Sequence, residues 1–121
     1  IKGLPPDSPI LLSALKSSDV FVLPSVHEPF GIAALEAWAA QLPLLAANVG
    51  GLRDFVEDEK TGLLFNPDSP ESLLEAWRKI QDNELRGRLT ANASERVKDF
   101  AWEEITKKLV SVYREVQNVS R

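Results

Sequence analysis

The sequence contains no cysteine, no methionine and only one histidine, His27, in 121 residues. Without thiols there is no disulfide scaffold and no cysteine nucleophile, and a lone imidazole does not build a zinc site. Basic excess is also missing: 14 Lys+Arg stand against 18 Asp+Glu, a net charge of −4. That balance argues against nucleic acid and anionic membranes as non-specific partners. No apolar stretch reaches the ~20 residues of a membrane-spanning helix. A secretory leader pattern is absent, and so are internal repeats and low-complexity runs. What is present is 44% hydrophobic and 26% charged residues, the balance of one globular domain with a single core. The chain opens at Ile1, and the reading taken from this is a piece of a longer protein.

Hydrophobic patterning divides the chain into short elements. Ile1 to Pro9 reads as a loop, with Ser8 or Pro9 opening a short helix through Leu15. Asp19 to Pro24 is an apolar run closed by proline, and Pro43 to Ala47 and Leu63 to Phe65 are two more; each reads as a buried strand. Helices are predicted at Pro29 to Gln41, with Pro29 near the first position, and at Leu52 to Glu57. Three amphipathic helices follow over Pro70 to Gln81, Asn83 to Lys98 and Trp102 to Val116. Strands alternating with helices imply an α/β fold with a short parallel sheet covered on both faces. Three strands are fewer than an average sheet holds, so the sheet is expected to lack strands on its N-terminal side.

The most informative segment is Ser25 to Glu36, between the end of a strand and the first turns of a helix. Open α/β sheets bind ligands at this edge. A helix start leaves amide donors unpaired and carries partial positive charge. No Ser, Thr, Asp or Asn precedes Pro29 directly, so Phe30 and Gly31 are expected to present free N–H groups. Gly31 is expected to leave room for a phosphate. Glu28 and Glu36 stand eight residues apart, which on a helix is ~12 Å. A glycosidase carboxylate pair sits roughly 5–9.5 Å apart, so the spacing fits two ends of an extended ligand better than a hydrolytic dyad. Glu36, set among Ile32, Ala33, Leu35, Ala39 and Ala40, is expected to be partly buried and to need donors, such as ligand hydroxyls. A plainer reading stands beside this one: Glu28 complements the helix dipole and Glu36 faces solvent.

Glu28-Pro29-Phe30-Gly31-Ile32, with Glu36 completing an E-x7-E spacing, resembles the donor-binding signature of retaining GT-B glycosyltransferases, family 4 and its glycogen-synthase-like members. The likeness continues through Asp19 to Ser25, Leu35-Glu36-Ala37, Pro43 to Ala46, Gly50 to Asp54 and Thr61 to Phe65. It implies a partial Rossmann-like three-layer domain, with residues 1–121 forming the C-terminal half of a donor-binding domain. It implies transfer of a hexose from a nucleoside-diphosphate sugar to an acceptor hydroxyl with retention, without a metal or other cofactor. By position, Glu28 is the catalytic candidate and holds donor-sugar hydroxyls. Phe30, Gly31 and Ile32 lie beside sugar and diphosphate through their amides, and Glu36 accepts from the ribose. The resemblance also implies a partner acceptor domain from the same protein and a cytoplasmic place, with a peripheral position at the cytoplasmic membrane face as a variant.

Two departures stand out. Gln41 occupies a turn position where the family has glycine, suited to positive φ, and Trp38, at a place where methionine is common, points to core packing. No Lys or Arg lies between Lys16 and Arg53, so the cations that grip a diphosphate in such enzymes have no counterpart here, and the piece alone is expected to be inactive. A non-catalytic nucleotide-sugar-binding module and an assembly element that self-associates are the alternatives. His27 reads as an exposed loop residue, and Arg53-Asp54 as a local ion pair or loop brace. Gly50-Gly51 reads equally as a tight turn or a border of the ligand. Trp77, Trp102 and Tyr113 are expected to pack, while the resemblance implies that the last helix, opened by Trp102, runs back towards the other domain and is left here with an uncovered apolar face.

Overall fold

The computed structural model describes Gly3, Pro5 and residues 8–119, so most of the loop read before Ser8 lies outside the described residues. The elements are α1 (Pro9–Lys16), β1 (Phe21–Leu23), α2 (Ile32–Ala39), β2 (Leu44–Ala47), α3 (Leu52–Phe55) and β3 (Leu63–Phe65). Then come α4 (Pro70–Ile80), α5 (Asn83–Arg96), a 3-10 turn at Val97–Phe100 and α6 (Trp102–Val119). The sheet is parallel in the order β1-β2-β3, with Phe21 opposite Leu44 and Leu45 opposite Leu63. The fold is α/β, as the alternating pattern requires.

The centre of the molecule is β2, buried at every position. Side chains alternate across a strand, so Leu44 and Ala46 enter one apolar cluster with Ala34 and Trp38 of α2 and Leu52 and Phe55 of α3. Leu45 and Ala47 enter the other, with Leu63 and Phe65 of β3, Ala76 and Ile80 of α4 and Leu89 of α5. Helices therefore cover both faces of the strand that needs it most. Removing one of these leucine side chains would cost about 2–5 kcal/mol. At the edge, β1 is only half covered, and Val22 is exposed.

Helix ends follow local chemistry. The Ser69 side chain accepts from the Ser72 N–H, and Pro70 fills the first position of α4. The Asp82 carboxylate accepts from the Leu85 N–H at the start of α5. α2 closes with a Schellman pattern: the Gln41 N–H donates to Trp38 O at 3.0 Å and the Leu42 N–H to Ala37 O at 2.9 Å. Gln41 sits at φ 61, the left-handed conformation expected for a position that favours glycine.

Several expectations are corrected here. α2 begins at Ile32 and not Pro29, because Gly31 takes a left-handed φ of 103 that a helix cannot include. The α5 pattern tightens into the 3-10 turn before Lys98. Trp38 is buried as expected, but Trp77, Trp102 and Tyr113 are exposed at 45%, 82% and 62%. On α6, Leu109 and Val112 are exposed beside them, so its apolar pattern marks a face without packing it. No helix among the described residues is long and apolar enough to cross a membrane.

Candidate functional site

Pro24 ends β1, and an irregular loop carries the chain to α2. Gly31 is the helix cap, and no side chain caps the first turn. The first internal bond is the short one from the Ala34 N–H to Gly31 O, 3.0 Å. Among the described residues, no intramolecular acceptor takes the N–H of Phe30, Gly31, Ile32 or Ala33. Four donors thus stand open at the C-terminal edge of the sheet, where the helix dipole favours an anion.

Glu28 lies in the loop before the helix, half-buried. Its carboxylate accepts from the Ser25 hydroxyl at 3.4 Å, and its backbone carbonyl accepts from the Gly51 N–H at 2.9 Å. Glu36 is on α2 but exposed, which corrects the expectation of partial burial. The helical repeat sends Ala34, Ala37 and Trp38 inward and turns Glu36 away from them. Neither carboxylate belongs to an ion pair among the described residues. Both keep acceptor capacity for a ligand's hydroxyls.

Glu36 instead lines a cleft of about 220 Å³ between α2 and α1, with Ala39, Ala40, Leu11, Leu12, Leu15 and Lys16. The sequence reading gave α1 no role. Its signal in the sequence is Leu11, Leu12 and Leu15 on one short helix, and none of its residues is buried in the structure. A larger open groove, about 910 Å³, runs beside α5 past Asp19, Gln41 and Thr90 and contains none of the five candidate residues.

Phe30 is exposed at 46%, yet its ring lies 5.5 Å from that of Phe55 and 6.3 Å from that of Phe100. Ile32 is exposed at 65%. Gly31 requires a different explanation from the one its sequence position suggested. A Cβ there would meet Leu52 Cδ2 at 2.6 Å, so its missing side chain admits the core, not a phosphate. His27 is exposed, as expected. Arg53 and Asp54 are exposed and form no ion pair with each other among the described residues, because neighbouring helix positions diverge.

The family model described as glycosyl transferases group 1 matches residues 6–96. An uncharacterized glycosyltransferase of Methanocaldococcus jannaschii is 42% identical over 103 residues, which is 82% of this chain and 26% of that protein. The C-terminal domain of a glycosyl transferase group 1 family protein from Francisella tularensis superimposes with a TM-score of 0.70 at 28% identity, covering 79% of this chain and 50% of that one. The Anabaena protein HepE, solved in complex with UDP-glucose, superimposes with a TM-score of 0.67 at 26% identity, covering 81% and 29%. The chain spans about a quarter of the length of the curated relatives it matches.

Proposed function

Because the chain belongs to the glycosyl transferases group 1 family, we propose that it forms the C-terminal portion of a nucleotide-sugar donor domain, in a protein that transfers a hexose to an acceptor hydroxyl with retention. The observation that carries this reading is the open start of α2: four amide donors without acceptors, with half-buried Glu28 before them and exposed Glu36 after. Glu28 accepts from hydroxyls of the donor sugar. The amides of Phe30, Gly31 and Ile32 hold the diphosphate, and they stabilise the charge that grows on it as the glycosidic bond breaks. Glu36, at the mouth of the leucine-lined cleft, accepts from the ribose. No Lys or Arg lies between Lys16 and Arg53, so the cations that complete neutralisation come from outside this segment, and the chain alone binds without transferring.

Calorimetric titration with UDP-, ADP- and GDP-glucose tests the reading. One of the three is expected to bind, and Glu36→Ala to weaken it about tenfold with no change in Tm, since Glu36 is exposed. Absence of binding by all three, or an unchanged affinity in the variant, would contradict it. Sugar transfer by the isolated chain would contradict the claim of inactivity. The exposed Trp102, Leu109 and Tyr113 of α6 favour a second reading, an element of assembly; a monomer by sedimentation at high concentration would count against self-association.

A further inference from the structure

The segment from Gly50 to Phe55 meets the loop from Glu28 to Gly31 residue by residue. A Cβ on Gly50 would lie 2.1 Å from the Glu28 carbonyl oxygen, and a Cβ on Gly51 would lie 2.6 Å from Pro29 O and 2.7 Å from Phe30 Cα. In the opposite direction, a Cβ on Gly31 would lie 2.6 Å from Leu52 Cδ2 and 3.3 Å from Phe55 Cζ. The Gly51 N–H donates to Glu28 O, and the Phe55 ring rests against that of Phe30. Wherever one segment lacks a side chain, the other fills the space with backbone or core.

The two glycines do different things. Gly50 has a φ of +45, so its own backbone favours glycine. Gly51 has φ −62 and ψ −21, an ordinary right-handed helical conformation that alanine adopts more readily than glycine. Nothing in its own dihedrals calls for glycine. Only the loop seated against it does.

We propose that Gly51 is a positioning residue for the donor loop. Its missing Cβ lets the Glu28–Phe30 backbone seat on the start of α3, and Leu52 and Phe55 complete the bed. Seating fixes the backbone that carries Glu28 and the open amides, so a ligand meets donors already in place. This rests on the donor-site reading above. Gly51, 20 residues or more downstream, acts here through the loop it seats and not through contact with the ligand.

The test compares the chain with Gly51→Ala, Phe55→Leu and, as control, Gly87→Ala, an α5 position where an added Cβ meets nothing within 4 Å. Amide resonances of the ligand-free chain report seating, and titration with UDP-, ADP- and GDP-glucose reports affinity. Gly51→Ala is expected to stay folded and to move the resonances of residues 28–32. Those of α4 and α5 should stay in place, and the best-binding probe should weaken about tenfold. Phe55→Leu moves residues 30 and 31 and weakens binding severalfold; Gly87→Ala changes neither. Wild-type resonances and affinity in Gly51→Ala would overturn the proposal. Should Gly51→Ala fail to fold, Phe55→Leu decides by the same two readouts. Should the unmodified chain bind none of the probes, the donor-site reading falls, and the resonances of residues 28–32 alone decide the seating.

Discussion

The two ends of α2 are built in opposite ways. At its C-terminal end, Gln41 and Leu42 return their amides to Trp38 and Ala37, and the chain accepts a left-handed non-glycine residue to do it. At its N-terminal end, four amides find no acceptor within the described residues. The starts of α4 and α5 are each partly closed by a side chain, Ser69 accepting from the Ser72 N–H and Asp82 from the Leu85 N–H. α1 also lacks a side-chain cap, but Pro9 removes its first donor. An end closed from within serves the fold. An end left open at the ligand-binding edge of a parallel sheet is available to an anion, and it falls between Glu28 and Glu36.

Perturbing each end should separate these roles. The largest effect is expected from Gly31→Ala, which forces a left-handed alanine and a 2.6 Å approach to Leu52. It should cost about 2–3 kcal/mol in thermal unfolding and abolish probe binding as well. Gln41→Gly, at the closed end, is expected to act the other way. Relief of the positive φ should stabilise by about 0.5–1 kcal/mol, with nucleotide-sugar affinity unchanged. A coupled change in affinity would mean that the two ends are not independent.

The smallest effect belongs to a charge pair remote from both ends. Lys79 hydrogen-bonds Glu59, which lowers the carboxyl pKa and raises that of the ammonium. A lowered carboxyl pKa gives stability that is present above the unfolded-state value and lost as pH falls through the folded one. A raised lysine pKa keeps the pair intact until pH climbs past the ordinary lysine range. Both side chains are more than half exposed, so Lys79→Ala should shift Tm by about 1 °C or less at neutral pH, and by less still in high salt.

Legibility followed the range of the forces involved. The runs that became β2 and β3 were plain because burial on both faces leaves an unbroken apolar signature. The left-handed turn at Gln41 was legible through the resemblance, which puts glycine at that position. The start of α2 was misplaced because proline at position 29 suits a helix's first residue and an extended loop equally, and Gly31 decided between them. Glu36 looked buried because its sequence neighbours are apolar, but helical spacing gives the interior to Ala34, Ala37 and Trp38. The amphipathic pattern of α6 showed that a face exists and carried no information about what covers it. The Gly51 contact with Pro29 and Phe30 had no local signal, since close approach between distant segments is written in neither one alone.

The open end of α2 is proposed to bind the diphosphate of a sugar nucleotide. Amide resonances followed through a titration with the best-binding of UDP-, ADP- and GDP-glucose test it most directly. The N–H groups of Phe30, Gly31, Ile32 and Ala33 are expected to shift most, while those of Ser72 and Leu85, already bonded to Ser69 and Asp82, stay still. Saturable binding that leaves residues 30–33 unmoved would contradict it.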